Sequence, residues 1–371
     1  MNKKIILARA MVVIILIVFA ALWFKDTNVG TIKIGVLSPL TGTFSSQGED
    51  FHNGIIIAAN QINKNGKIID IVEENSASDQ KIAISALNKL ADSGISLFLS
   101  GPGSGVNLAL VPIAEQRKLV FIPQTRSFKA DDAGDYIFRF APLIDTEAEM
   151  MAKHIFESGI KRVAVVFESS TDTSINGKDV FSKVFESLSG AVIRTEGFDG
   201  KAVKDFRTMI LKLKESKPEG IFLAVTEDPA GPLMRQMREL KVLVPIFGWS
   251  THESKKVLEA AGSAAESLTI TAEPLDCSRD EISKEYCQAY KDMNPMRTPQ
   301  YYGGYGHDAL LVLYQGLKAA KNDMTKVPAL LTNLNGYQGV MGTLSLDSKG
   351  NLTKKDFVFK IVKEGKFVEF K

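Results

Sequence analysis

From residue 31 onward, short runs rich in Val, Ile, Leu and Phe alternate with amphipathic helical stretches. The run 32–37 (IKIGVL) reads as a strand. The stretch 49–63 follows with Phe51, Ile55, Ala58 and Ile62 on one helical face, and Asn65-Gly66 stops it. A strand at 68–73 comes next, then a helix capped by Asp79 with Ile82, Ala83, Ala86, Leu87 and Leu90 inward. Strand 95–99, helix 105–116 and strand 119–122 continue the series. Repetition of this kind predicts an α/β fold with a parallel sheet covered by helices on both faces.

The series restarts after Asp145. Helix 146–158 leads to 162–167 (RVAVVF), an almost wholly apolar strand of the kind buried on both faces. Helices at 178–188, 205–215, 232–240 and 254–261 then alternate with strands at 191–196, 220–225, 245–248 and 267–271. Two such series in 371 residues predict two α/β lobes, each with its own core. The last third begins no third lobe. It holds two long helices, 280–293 and 306–320, and a β-rich tail at 342–346, 357–363 and 367–370. These pieces cannot bury a core alone, so the chain is expected to cross between lobes more than once.

The first 24 residues differ in kind. Lys3, Lys4 and Arg9 precede an uncharged run, AMVVIILIVFAALWF, from residue 10 to 24. A basic segment before an apolar one is the layout of a secretory signal, and Val18 and Ala20 mark a small-x-small site before Ala21. Fifteen helical residues span about 22 Å, short of a hydrocarbon core of about 30 Å. An uncleaved membrane anchor remains the alternative, because Phe19 and Trp23 crowd the cleavage site. Cys277 and Cys287 are the only cysteines, and an oxidising compartment allows either a disulfide or two thiols. Net charge is +2 with basic residues scattered, so nucleic acid is not an expected partner.

No catalytic constellation emerges. Gly101-Pro-Gly-Ser-Gly105 lacks the first glycine of a G-x-S-x-G elbow, because residue 102 is proline. It also lacks the Gly-Lys-Ser/Thr of a phosphate loop. His52, His154, His252 and His307 show no metal-ligand spacing, so neither metal nor cofactor is expected. The glycine loop reads either as a plain strand-to-helix turn or as a ligand cradle at the carboxyl edge of a sheet. The segment Gln124-Thr125-Arg126 reaches the same edge. Phe44 and Trp249 follow strand ends and are candidate pocket walls. Tyr301, Tyr302 and Tyr305, on what reads as a Gly-rich loop, either line the mouth of the pocket or pack the loop against the first lobe.

Five pieces in order resemble the leucine/isoleucine/valine-binding protein family, receptors of the type I periplasmic binding fold. They are IKIGVLSPLTGTFSSQGEDFHNGIIIAANQIN (32–63), SGPGSGVNLALVPIAEQRKLVFIPQT (100–125), DYIFRFAP (135–142), KDFRTMILKLKESKPEGIFLAV (204–225) and GVMGTLSLDSKGNLTKKDFVFKIV (339–362). The resemblance implies two Rossmann-like lobes with a ligand cleft between them, joined by three crossovers near 141–143, 271–274 and 336–340. It divides the chain into 31–142 plus 275–335 and 143–272 plus 341–371. Ligand contacts carried over are Gln47, Gly103, Ser104, Gln124, Thr125 and Arg126 from the first lobe. Asn176, Thr226 and Ser250 come from the second.

The family pattern is broken at three points. Ser250 stands where an acidic residue usually holds a ligand ammonium, Arg126 stands where a threonine is usual, and the aromatic near Asn176 is missing. Glu227 or Asp228 is a candidate substitute for the acid, and a cleft-facing Arg126 would favour a second carboxylate. The expected function is that of an extracytoplasmic solute-binding protein of an ABC-type importer, closing on an amino acid or organic acid and docking on a membrane permease. A membrane-anchored sensor with the same fold is the alternative, and an enzyme is not expected.

Overall fold

The computed structural model describes residues 31–127, 129, 133–200, 202–353 and 357–370. The leader at 1–24, with its proposed cleavage, lies outside them. Among the described residues no helix is long and apolar enough to cross a membrane.

The first sheet is parallel and four-stranded. β1 (Ile32–Ser38) lies between β2 (Ile69–Asn75) and β3 (Leu97–Ser100), and β4 (Val120–Pro123) pairs outside β3. Period-two geometry sends alternate side chains to opposite faces. Leu97 and Leu99 enter one core with Ile34 and Val36, while Phe98 enters the other with Leu37 and Phe121. Helix α1 (Ser45–Ile62) covers the first face. α2 (Gln80–Asp92) and α3 (Ser104–Gln116) cover the second. The Asp79 carboxylate accepts from Lys81 N and Ile82 N at 2.9 and 3.0 Å, as the sequence predicts, a cap worth about 1 kcal/mol.

The second sheet carries α4 (Ile144–Glu157), β5 (Arg162–Glu168), α5 (Asp172–Ser187), β6 (Ala191–Phe198), α6 (Arg207–Glu215), β7 (Gly220–Ala224), α7 (Glu227–Glu239), β8 (Ile246–Gly248), α8 (Lys255–Ala261) and β9 (Thr269–Ala272). On β5, Val163 and Val165 face the core under α4 and α5, while Ala164 and Val166 face the core under α6 and α7. β12 (Val358–Lys363) runs antiparallel to β9, and β13 (Lys366–Phe370) antiparallel to β12. The order is β13-β12-β9-β8-β7-β5-β6.

The remaining pieces complete the first lobe. Tyr286 and Tyr290 of α9 (Glu281–Met293), and Leu310 and Leu313 of α10 (Tyr301–Ala319), join the core beside β1. Two sequence expectations are corrected. Residues 301–306 are the first turns of α10 and not a loop. Their glycines are packing residues: a Cβ on Gly54 of α1 would lie 1.9 Å from the Gly303 carbonyl oxygen, so only glycine lets the two helices approach this closely. Asp50 of α1 then accepts from Gln300 N at 3.1 Å and Gly303 N at 2.5 Å, capping α10 from another helix. Two small elements went unread, α11 (Val327–Thr332) and β10 (Tyr337–Gly339), which pairs with β11 (Gly342–Leu344).

The third crossover, into the second sheet, also comes later than expected. Met341, Leu344, Leu346 and Leu352 pack in the first lobe's core. The buried Asp308 carboxylate anchors them by accepting from Val340 N and Met341 N, both at 2.9 Å. Residues of this tail join the second sheet only from Val358 onward. Cys277 and Cys287 are joined by a disulfide with Cα atoms 5.8 Å apart, tying the segment after β9 to α9.

Candidate functional site

Residues that follow the carboxyl ends of β1, β3, β4, β5, β7 and β8 converge on one cavity of about 540 Å³ between the two sheets. Open α/β sheets offer their free backbone groups at this edge.

The first-lobe wall includes Phe44, the loop Pro102–Val106, Gln124 and Arg126. Gly103 precedes α3 at φ +134°, a left-handed conformation that favours glycine. A Cβ there would stand 3.4 Å from the Phe44 ring. α3 has no side-chain cap, whereas α2 is capped by Asp79 and α5 by Thr171. The first turn of α3 therefore brings uncapped N–H groups and the positive end of a helix dipole to the cavity, a setting that suits an anion. The Ser104 hydroxyl accepts from Arg126 N at 3.1 Å and holds the two loops together.

The second-lobe wall includes Glu168, Ser170–Ser174, Val225, Thr226 and Trp249. The Trp249 indole donates to Val225 O at 2.8 Å, which fixes the ring as a wall. Tyr301, Tyr302 and Tyr305 also line the cavity, carried there by α10. Glu168 and Glu273 are buried acids on this surface that the sequence reading missed. Glu168 ends a strand, and a carboxylate at the end of a buried strand was the signal available.

The carried-over residues divide. Gly103, Ser104, Gln124, Arg126 and Thr226 line the cavity, whereas Gln47, Thr125, Asn176 and Ser250 do not. Gln47 turns across the cleft and donates to Glu227 at 2.6 Å. Burial pushes the Glu227 carboxyl up from its ordinary value. Thr125 is fully buried, and its hydroxyl faces Ser127 N at 3.4 Å. Asn176 donates to Asp145. Ser250 lies in a buried network with Arg126, Glu147 and Tyr301. The proposed substitutes for the missing acid fare no better. Glu227 is absent from the wall, and Asp228 pairs with Lys256 at 2.6 Å.

Arg126 is 6% exposed and its charge is met inside the protein. It pairs with Glu147, lies 3.6 Å from Glu273, and donates to Ser250 Oγ at 2.8 Å and Pro142 O at 3.4 Å. Glu147 also accepts from Ser250 N at 2.8 Å and from the Thr271 hydroxyl. Arg126 thus ties the first lobe to α4, to the loop after β8 and to two crossovers. The expectation that it waits for a ligand carboxylate is corrected, because Glu147 already occupies it.

Among the described residues no group of His, Cys, Asp and Glu could hold a metal ion. His252 is buried with Nε2 3.0 Å from Val225 O, and burial lowers its pKa to about 4.

Residues 31–366 match the family described as periplasmic binding protein. The chain belongs to that family. Its members are binding proteins and not enzymes, in line with the sequence reading. Within the family, this periplasmic binding protein is 25% identical over 336 residues to the leucine-, isoleucine-, valine-, threonine- and alanine-binding protein of Pseudomonas aeruginosa, covering 88% of each chain. Its fold is similar to the leucine-binding protein LivK of Thermotoga maritima, with a TM-score of 0.85, 23% identity, and coverage of 92% of this chain and 98% of that one. It is also similar to an ABC transporter solute-binding protein of R. palustris in complex with benzoate, with a TM-score of 0.82, 18% identity, and coverage of 92% and 95%.

Proposed function

We propose that the chain is the extracytoplasmic solute-binding protein of an ABC-type importer, holding a small carboxylate-bearing solute between its lobes and presenting the closed form to a membrane permease. The observation that carries this reading is the shared cavity, with the uncapped first turn of α3 on one wall and Glu168, Thr226 and Trp249 on the other. Cavities of this size, lined by both lobes, suit a solute of amino-acid or aromatic-acid size. The relatives that bind leucine, isoleucine, valine or benzoate support the same range. The Cys277–Cys287 disulfide suits an oxidising, extracytoplasmic compartment. Gly103, Ser104, Gln124 and Thr226 are the proposed ligand contacts among the carried-over residues.

The test is thermal unfolding and small-angle scattering of the protein with L-leucine, L-isoleucine, L-valine and benzoate. A bound solute at a hundredfold excess over Kd adds about 2.7 kcal/mol of stability. It should also reduce the radius of gyration, because only a ligand that binds the closed state better can shift the lobes. Binding without compaction would refute closure, and no binding by any of the four would refute the reading.

A further inference from the structure

We propose that Glu168 receives a cationic group of the solute, the ammonium of an amino-acid-like ligand. This assignment rests on the reading of the cavity as a solute site and adds to it the residue that separates amines from plain carboxylic acids.

Glu168 is the last residue of β5, is 4% exposed and lines the cavity. Its Oε2 accepts from Thr226 N at 3.2 Å and from Thr226 Oγ1 at 2.5 Å, and its Oε1 from Ser170 Oγ at 3.1 Å. These donors are all neutral. Among the described residues no Lys, Arg or His forms an ion pair with Glu168. Other buried acids have partners of their own: Glu227 accepts from Gln47, and Glu273 lies 3.6 Å from Arg126. Glu147 faces Arg126, Asp50 caps α10, and Asp308 holds Val340 and Met341. Glu168 is different, because it is buried, on the cavity wall and, among the described residues, without an ion-pair partner.

The local charge balance points the same way. Of the buried acidic and basic side chains lining the cavity, one is basic, Arg126, and two are acidic, Glu168 and Glu273. Lys81 and Lys204 stand exposed at the rim, and Lys204 donates to Gly200 O at 3.3 Å. Buried carboxylates without a counter-charge are costly, so a cation that enters with the solute relieves a cost already present in the empty site. An ionised carboxylate has about four acceptor positions, and the donors on Glu168 leave capacity on Oε1. The solute would lie with its carboxylate towards the first turn of α3 and its ammonium on Glu168. Phe44, Val225 and Trp249 provide apolar walls for its side chain.

The experiment uses the full chain and calorimetry with matched probes. These are L-leucine against 4-methylpentanoate, L-phenylalanine against 3-phenylpropanoate, and benzoate. A charge-assisted contact in a buried site predicts that an amine-bearing probe binds roughly 10- to 100-fold tighter than its amine-free partner. Glu168→Gln keeps the acceptor for Thr226 and should bring that ratio close to one. Glu168→Asp keeps the charge and should restore part of it, and it carries the decision if the Gln variant fails to fold. Amine-free acids binding as tightly as their partners in the unaltered protein, or a ratio that survives both substitutions, would overturn the role of Glu168 while leaving solute binding intact. If no probe binds, the solute reading itself falls and this assignment with it.

Discussion

Arg126 and Ser250, 124 positions apart in sequence, meet at 2.8 Å between guanidinium and hydroxyl. The contact joins the loop after β4 in one lobe to the loop after β8 in the other. It also places Arg126 against Glu147, which is fully buried. Replacing Arg126 by Met leaves that carboxylate buried without its cation and should cost about 3–5 kcal/mol. The double variant Arg126→Met/Glu147→Gln should recover much of the loss. Chemical unfolding of both variants measures the coupling, and additive losses would show that the pair is not the source of the stability.

Gln47 and Glu227 form a second bridge across the cleft at 2.6 Å, between α1 and α7. Gln47→Ala removes it without altering the proposed solute contacts. A buried hydrogen bond to a carboxylate is worth about 1.5–3 kcal/mol, so the closed-to-open ratio should fall by roughly tenfold or more. Scattering should show a larger radius of gyration in the unliganded variant, and an unchanged radius would show that closure does not depend on this pair.

The Cys277–Cys287 disulfide closes a short loop, with the two residues ten positions apart. Loop-closure entropy gives a bridge of this length about 3 kcal/mol. Cys277→Ser/Cys287→Ser should lower the unfolding midpoint, and reductant should lower that of the unaltered protein by the same amount. Reductant should have no effect on the double variant.

His252 makes stability depend on pH. The folded protein holds its imidazole neutral, with a pKa of about 4 against an ordinary 6.5. Between those values the unfolded chain binds a proton that the folded one does not. The contribution is therefore complete above pH 6.5 and is lost as pH falls towards 4, by about 3 kcal/mol in all. His252→Gln still offers a donor for Val225 O and does not titrate. Unfolding free energies at pH 7 and pH 5 should differ less in the variant, and an equal difference would remove His252 as the cause.

Much of the fold was legible in the chain. The βα alternation marks β1 to β9 because each strand is a short apolar run and each helix has an inward face at 3.6-residue spacing. What escaped were elements whose signal is not local. Residues 301–306 carry three glycines and read as a loop, but Asp50 and Gly54 of α1 make them helix. Residues from Met341 onward read as the second lobe's tail, but Asp308 holds Val340 and Met341 to the first lobe, where Met341 and Leu344 are packed. At the cavity, the glycine loop read either as a plain turn or as a ligand cradle, and Gly103 and Ser104 were named through the family resemblance; both line the wall. Glu168 was not legible, because nothing near it in sequence tells whether a carboxylate at a strand end meets a lysine or an empty cavity.

Periodicity and glycine placement are written residue by residue, and they were enough for two α/β lobes with parallel sheets, while the cleft between them came from the family resemblance. The partners of charged side chains were decided only when the two sheets came together. A buried carboxylate takes its meaning from whatever lies within a few ångströms of it, and for Glu147, Glu227 and Glu168 those neighbours come from segments far away in the chain. The same residue type thus acts as an ion-pair partner to Arg126, as a bridge to Gln47, or as an acid facing open space.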